Sequence, residues 1–435
     1  MRKQICLILI TALLVGAFSG FTGVNTASGK VETASTVTGK AMKITKKTKA
    51  TTEEMNSGYN TFAVRTLKEA LAGEEEGTNV MISPASLMFA LDMAAMGAKG
   101  KTYSQMASLF KKGATKRDLL NYAKYYRSTL EKSGLMKIAN SIWINENNLR
   151  NNNVRMNEGY LNLLRKAFKA AAASREFDDT VKDEINNWIS DNTNGMIKKV
   201  IDKLTDDNLM LIINAMAFEG KWKEEYKDSA IDENGIFTAY GGKAEKAKML
   251  SSEENLYFET EAEKGFLKYY EGDKYAFMAI LPKDSSLTMK DYVKRLPDNA
   301  IETFYNSLYR TEVDTKTPAF SFDYTIAMNK MLKNLGMKKA FTGNADFFSM
   351  LDPETLNPDL ALFISSVIQK THIELDEKGT KAAAVTVISM NLTTTAYEPV
   401  KVRKEVILDR PFMFAIMDTE TGTPVFTGVV NTVES

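Results

Sequence analysis

Catalytic side chains are scarce in this chain. His372 is the only histidine among 435 residues, and Cys6 is the only cysteine. A Ser-His-Asp triad would have to be built on His372, and no G-x-S-x-G elbow accompanies it. His372 stands in "KTHIELDEKG", whose alternation is that of an ordinary strand. A lone cysteine excludes an internal disulfide, and no Cys/His cluster or H-E-x-x-H pair offers a zinc site. G-x-x-x-x-G-K-[ST] loops and Rossmann glycine patterns are missing too. Glu74, Glu75 and Glu76 read as a solvated connection after a helix, not as a metal site. A conventional enzyme is therefore not expected, and neither is a metal or a cofactor.

Charge of one sign is also lacking. Lys and Arg number 56 against 55 Asp and Glu, so the net charge is +1 and nothing draws the whole chain to nucleic acid or anionic membranes. No period of 20–50 residues repeats, and no Pro- or Gly-rich linker divides the chain after residue 55.

What is present begins with a leader. Arg2 and Lys3 precede an apolar run from Ile5 to Phe18 that is too short for a comfortable membrane span, and Ala17-Phe18-Ser19 offers a small-x-small cleavage site. Residues 1–27 are read as a signal peptide, which removes Cys6 and predicts secretion of a bacterial type. Residues 28–54, rich in Thr, Lys, Ser and Gly, are read as a flexible spacer. Residues 55–435 are then a single α+β domain. Phe62, Ala63, Leu67, Ala70 and Leu71 share a helical face that Gly73 closes. Ser83-Pro84 starts another helix, with Leu87, Ala90, Leu91, Ala94 and Ala95 apolar and Gly97 at its end. Val181, Ile185, Trp188 and Ile189 mark a third, closed by Asn194-Gly195. Leu209–Phe218 and Ala276–Leu281 are so apolar that both faces should be buried, and Phe412–Met417 and Pro424–Val430 flank a turn-rich hairpin connection. "ENLYFE" at 254–259 reads as a strand with alternating burial.

The segment from Asp376 to Phe412 fits neither loop nor strand. Gly379 opens it and Pro399 comes near its end, with no proline between Gly379 and Ala396, so every backbone N–H there could join a ladder. Alternate residues from Thr380, namely Ala382, Ala384, Thr386, Ile388 and Met390, share one strand face, small first and larger later. The other face reads Lys381, Ala383, Val385, Val387, Ser389 and Asn391. Three consecutive alanines bury too little to hold an ordinary edge strand.

The chain resembles the serpin family over its length from about residue 55. "NVMISPASLMFALDMAAMGAKG" (79–100) is similar to the family's Ser-Pro-x-Ser helix start, and "ANSIWI" (139–144) to the entry of the third strand of its main sheet. "INAMAFEGKWKEEY" (213–226) is similar to its Asn-x-x-x-Phe-x-Gly-x-Trp segment. "MLKNLGMKKAF" with "ADF" (331–347), "DEKGTKAAA" and "RPFMFAIMDTETGTPVFTGVVNT" (410–432) follow in the family's order. The resemblance implies three β-sheets, about eight or nine helices and an exposed reactive loop over about 377–400. It implies a monomer that inhibits a serine protease covalently: the protease cleaves the loop, the loop enters the main sheet, and the acyl-enzyme is trapped. No nucleic acid partner and no membrane span after leader removal are expected.

Carried over position by position, the hinge comprises Glu377, Gly379, Thr380, Ala382, Ala383, Ala384 and Val385. Lys381 departs from the family's usual acid. The shutter beneath the main sheet comprises Ser83, Ser86, Asn214 and Gln369; Gln369 replaces a histidine that would meet Asn214 and Ser86. Counting forward from Gly379 puts the scissile bond at Thr393–Thr394, suited to an elastase-like protease. Met390, Leu392 and Tyr397 compete, and Tyr397 would suit a chymotrypsin-like enzyme. Two other classes stay open: a non-inhibitory binding module on the same fold, and a cell-surface protein that uses its spacer.

Overall fold

Ser83 and Pro84 begin a helix by the chemistry expected of them. The Ser83 Oγ accepts the Ser86 N–H at 3.2 Å, and Pro84 occupies the first helical turn, where its missing N–H costs nothing. All 14 residues of this helix, Pro84–Gly97, are buried. Such an all-round apolar helix belongs in the interior, and it packs against strands of both sheets described below. The computed structural model describes residues 49–205, 207–380 and 403–434. The first helix, Lys49–Gly73, starts within the segment read as spacer. Ten α-helices occur among the described residues, against the eight or nine expected.

Sixteen strands, numbered along the chain, form two sheets among the described residues. The first sheet holds β2 (Met136–Asn145), β3 (Ala171–Arg175), β4 (Met210–Phe218), β5 (Gly220–Lys221), β11 (Phe320–Ala327), β12 (Ser366–Leu375) and β13 (Gly379–Thr380). The second holds β1 (Val80–Ile82), β6 (Ile231–Thr238), β7 (Ala244–Glu259), β8 (Glu263–Tyr269), β9 (Tyr275–Pro282), β10 (Tyr309–Pro318), β14 (Lys404–Ile407), β15 (Phe412–Asp418) and β16 (Thr423–Val430). Three sheets were expected. The correction lies in β7: its 16 residues pair first with β6 and last with β8, and with β10 along the other edge, which joins two sheets into one. "ANSIWI" likewise falls in β2, next to the edge strand β3, and β4 takes the third place.

β4 explains its own apolar sequence. Met210, Ile212, Met216 and Phe218 enter the main core, while Leu211, Ile213 and Ala215 enter a second cluster with Ile185 and Ile189 of the Asp179–Asn192 helix. Period-2 alternation thus meets apolar partners on both faces. β12 is covered on one face only. Val367, Gln369, Thr371, Ile373 and Leu375 are buried, and the residues between them are half-buried or exposed. His372 lies on that outer face, its Nδ1 2.7 Å from Asp323 Oδ1 on β11, as an ordinary strand histidine.

Candidate functional site: the hinge and the gap between β4 and β12

β4 and β12 run parallel in a sheet whose other long pairings are antiparallel, except β2–β3. Their direct pairing covers Ser366↔Leu211 to Lys370↔Ala215 and then stops. Farther along, β13 stands between them: Thr380 pairs with Leu375 of β12 on one side and with Gly220 of β5 on the other. β5 continues β4 after Glu219. The offset between the flanking strands is the same where they touch (Gln369↔Asn214) and where β13 separates them (Leu375 and Gly220). The sheet has therefore spread at this end without slipping.

Local chemistry fixes the turn that delivers β13. Asp376 Oδ1 accepts the N–H groups of Lys378 (2.8 Å) and Gly379 (3.0 Å), and the Asp376 N–H donates to Gly379 O at 2.9 Å. Trp222 clamps the turn from outside. Its backbone N–H donates to Lys378 O at 2.9 Å, and its indole Nε1–H to Asp376 O at 2.9 Å. Trp222 stacks on Tyr270 with centroids 4.4 Å apart, and the Tyr270 hydroxyl lies 2.7 Å from Thr380 Oγ1. Thr380 is 2 % exposed. Burial pushes the Tyr270 hydroxyl far above its ordinary pKa, so it remains a neutral partner. Glu377 pairs with Lys248 of β7 at 2.9 Å. Burial pushes the Glu377 carboxyl up, but the bond to Lys248, a backbone hydrogen bond and the charges of Lys248 and Lys378 together outweigh it and hold it below the usual range.

Gly379 is required by space. A Cβ there would lie 2.1 Å from Gly220 O and 2.8 Å from Lys221 Cα, both backbone atoms that cannot swing away. Gly379→Ala is therefore expected to expel β13 and break the Thr380–Tyr270 bond. Because Trp222 holds the same turn, its fluorescence should shift in this variant. An unchanged spectrum, with Thr380 still protected from hydrogen exchange, would contradict the close approach.

Beneath the closed stretch of β4 and β12, beside the gap, sits the shutter. Gln369 Nε2 donates to Ser83 O (2.9 Å) and Asn214 Oδ1 (2.6 Å), while its Oε1 accepts the Ser83 N–H (2.9 Å). Ser83 Oγ also donates to Val425 O at 3.0 Å. Ser86 does not join Gln369; its hydroxyl donates to Asn140 Oδ1 of β2 at 3.2 Å. Capping explains the difference, since Ser83 must face the helix start whereas Ser86 points one turn onward. Asn214 Nδ2 is buried and has no hydrogen-bond partner among the described residues.

The structure thus brings Glu377, Gly379 and Thr380 together at the gap, and Ser83, Asn214 and Gln369 below the closed stretch beside it, with Ser86 alongside. Ala382, Ala383, Ala384, Val385, Met390, Leu392, Thr393, Thr394 and Tyr397 lie outside the described residues. Sequence reasoning missed Lys248, Tyr270, Trp222 and Gly220 as hinge partners. The last two stand in the quoted "EGKW" and could have been found there. Lys248 and Tyr270 carry no local signal, because only long-range pairing delivers them.

Comparison with known proteins gives a consistent result. A family model described as serpin (serine protease inhibitor) matches residues 57–433. The crystal structure of a thermophilic serpin, tengpin, in its native state is 34 % identical, with a TM-score of 0.79 over 90 % of this chain and 96 % of that one. The same protein's latent-state structure superposes at a TM-score of 0.72 and 33 % identity, over 88 % and 98 %. An uncharacterized serpin-like protein of Thermococcus kodakarensis is 28 % identical over 86 % of this chain and 84 % of its own. Human neuroserpin is 27 % identical over 82 % and 86 %.

Proposed function

The chain belongs to the serpin family, and on that premise we propose that it inhibits a serine protease as a suicide substrate. The observation that carries the reading is β13, a two-residue strand that begins an insertion in the register both neighbours already share. A target protease attacks a loop carbonyl with its serine oxygen. An ester forms, the peptide C–N bond breaks, and the leaving amine takes a proton. The loop's N-terminal part, freed by the cut, continues β13 between β12 and β4 before water can hydrolyse the ester.

The register supplies the details. Extended antiparallel from Thr380, the loop brings Ala382 opposite Ile373 and Phe218, and Ala384 opposite Thr371 and Met216. Small residues fall where the flanking side chains are bulky. Thr386 arrives opposite Gln369 and Asn214, where its hydroxyl can accept the unpartnered Asn214 Nδ2. Ile388 reaches Val367 and Ile212 in the core. Lys381 comes between Glu374 and Glu219 on the outer face, so its departure from the family's acid meets two carboxylates. One parallel junction becomes two antiparallel ones, whose hydrogen bonds are straighter.

Thr393–Thr394 is the proposed bait, for an elastase-like enzyme with a small apolar specificity pocket. The leader in residues 1–27 supports action outside the cell. The test is a gel of the protein with elastase-like, chymotrypsin-like and trypsin-like proteases, with mass spectrometry of the released C-terminal fragment. The expected result is an SDS-stable adduct with the elastase-like enzyme and a new N-terminus at Thr394. A terminus at Asn391, Thr393 or Glu398 would move the bait to Met390, Leu392 or Tyr397. Clean cleavage without an adduct by every protease would favour the non-inhibitory binding module. Thr393→Arg should redirect the adduct to a trypsin-like enzyme, since a small apolar pocket cannot take a guanidinium without stranding its charge.

A further inference from the structure

Asp92 sits in the middle of the Pro84–Gly97 helix and is fully buried. Neither carboxyl oxygen has a hydrogen-bond partner among the described residues. The same helix carries Ser83 at its cap, and Ser83 holds Gln369 by two backbone bonds under the stretch where β4 and β12 still pair. A buried carboxyl without a partner has one inexpensive state, the neutral acid. We propose that Asp92 is a proton-held catch on the intact fold: as the neutral acid it lets this helix stay seated, and as the carboxylate it unseats the helix and, through Ser83 and Gln369, lets β4 and β12 part.

Among the described residues no cation bonds the carboxylate: Lys116, on the Lys116–Lys132 helix, reaches this helix but donates to Met96 O at 2.7 Å and stands 5.6 Å from the Tyr103 ring centre, and Arg127 of the same helix bonds Ala167 O and Glu131. The groups that sense Asp92 are the hydroxyls of Tyr103, on the Gly100–Ala107 helix, and Tyr122, on the Lys116–Lys132 helix; both are themselves pushed up by burial. β4, β16 and the Phe348–Met350 turn, which also pack on this helix, contain no titratable residue. Arg165 of the Leu164–Phe168 turn bonds Asn162 and Glu158, and Lys137 of β2 donates to Gly134 O. Burial alone raises the Asp92 pKa well above the usual carboxylate range. The sign follows. The unfolded chain releases this proton near pH 4, while the folded chain keeps it. Stability is fully present below that pH and falls as pH rises, until Asp92 ionises in the folded state. The slope is one proton, a tenfold loss in the folding equilibrium per pH unit.

The experiment compares the intact full chain with Asp92→Asn, whose side chain is neutral at every pH. Denaturant unfolding is followed from pH 4 to 9, with hydrogen exchange at the Ser83 amide as the local readout. The expected ratio of folding equilibrium constants, variant over wild type, grows tenfold per pH unit above about pH 4 until Asp92 ionises in the folded state. Ser83 exchange in the wild type should also accelerate with pH more steeply than in the variant. Asp92→Ala is measured in the same way should the asparagine variant not fold. Asp418→Asn, which removes another carboxyl raised by burial, should leave the Asp92 step in place. Parallel pH profiles for wild type and both Asp92 variants would overturn the catch. So would a slope difference with no change at Ser83, which would confine Asp92 to the core.

Discussion

Arginine in place of Thr380 is expected to turn the protein from a trap into a substrate. Thr380 is the leading residue of the inserting strand, buried between Leu375 and Gly220 with its hydroxyl on Tyr270. A guanidinium at that point would face Tyr270, Trp222 and Phe218, which offer no carboxylate. Burying an unpaired charge costs on the order of several kcal/mol, and each 1.4 kcal/mol on the insertion barrier slows that step about tenfold. Hydrolysis of the ester does not involve Thr380 and keeps its rate. Thr380→Arg should therefore be cut at the same bond as the wild type and release active protease, with adduct reduced at least about a hundredfold for a barrier rise of about 3 kcal/mol. Adduct formation at the wild-type stoichiometry would show that trapping does not pass through β13.

The second large effect concerns heat. Cutting a loop ordinarily frees chain ends and lowers stability. Here a clean cut near Thr393 is expected to raise the melting temperature. Among the described residues, Asn214 Nδ2 has no partner in the intact form, and the facing edges of β4 and β12 pair with each other only as far as Lys370 and Ala215 and with β13 only at Leu375. Insertion supplies partners to both edges along the ladder. Each kcal/mol corresponds to about 2 °C in a large domain, so a gain of several kcal/mol appears as a rise on the order of 10 °C. Calorimetry of intact and cleaved protein at one scan rate decides it, because intact melting is governed by a rate as well as an equilibrium. An equal or lower melting temperature after cleavage would count against a metastable starting fold.

Much of this arrangement was legible in the sequence, for identifiable reasons. β4 could be read because apolar character across nine residues, broken only by Asn214, points to double-sided burial. The Pro84–Gly97 helix could be read because its cap chemistry is local. Gly379 and Thr380 could be read as a pivot because the glycine, the alanines and the missing prolines stand together in the sequence; the alanines themselves lie outside the described residues. Pairings set by distant strands stayed hidden. Which serine meets Gln369 depends on how the helix cap points under the sheet, and that choice falls to Ser83, not Ser86. The merging of two expected sheets depends on how far β7 runs before it changes partners. Asp92 carries no local signal, and only its complete burial, with no hydrogen-bond partner among the described residues, marks it as an unpartnered acid. Lys381 reads as an exception in the sequence, and only under the proposed insertion would it come between two glutamates.

The unchanged offset between β4 and β12 has a consequence for timing. Trapping is a race between a zipper and a water molecule, and a zipper whose teeth are already aligned wastes no time searching. Its length is set by the chain. One residue added between Thr386 and the bait would turn every later side chain to the wrong face and stall the closing midway. Two added residues would keep the faces but lengthen the run. The protease would then be carried less far for each bond closed, and water would gain the interval. If the chain traps a protease as proposed, loop length acts as its clock, and the sequence has set it at one value.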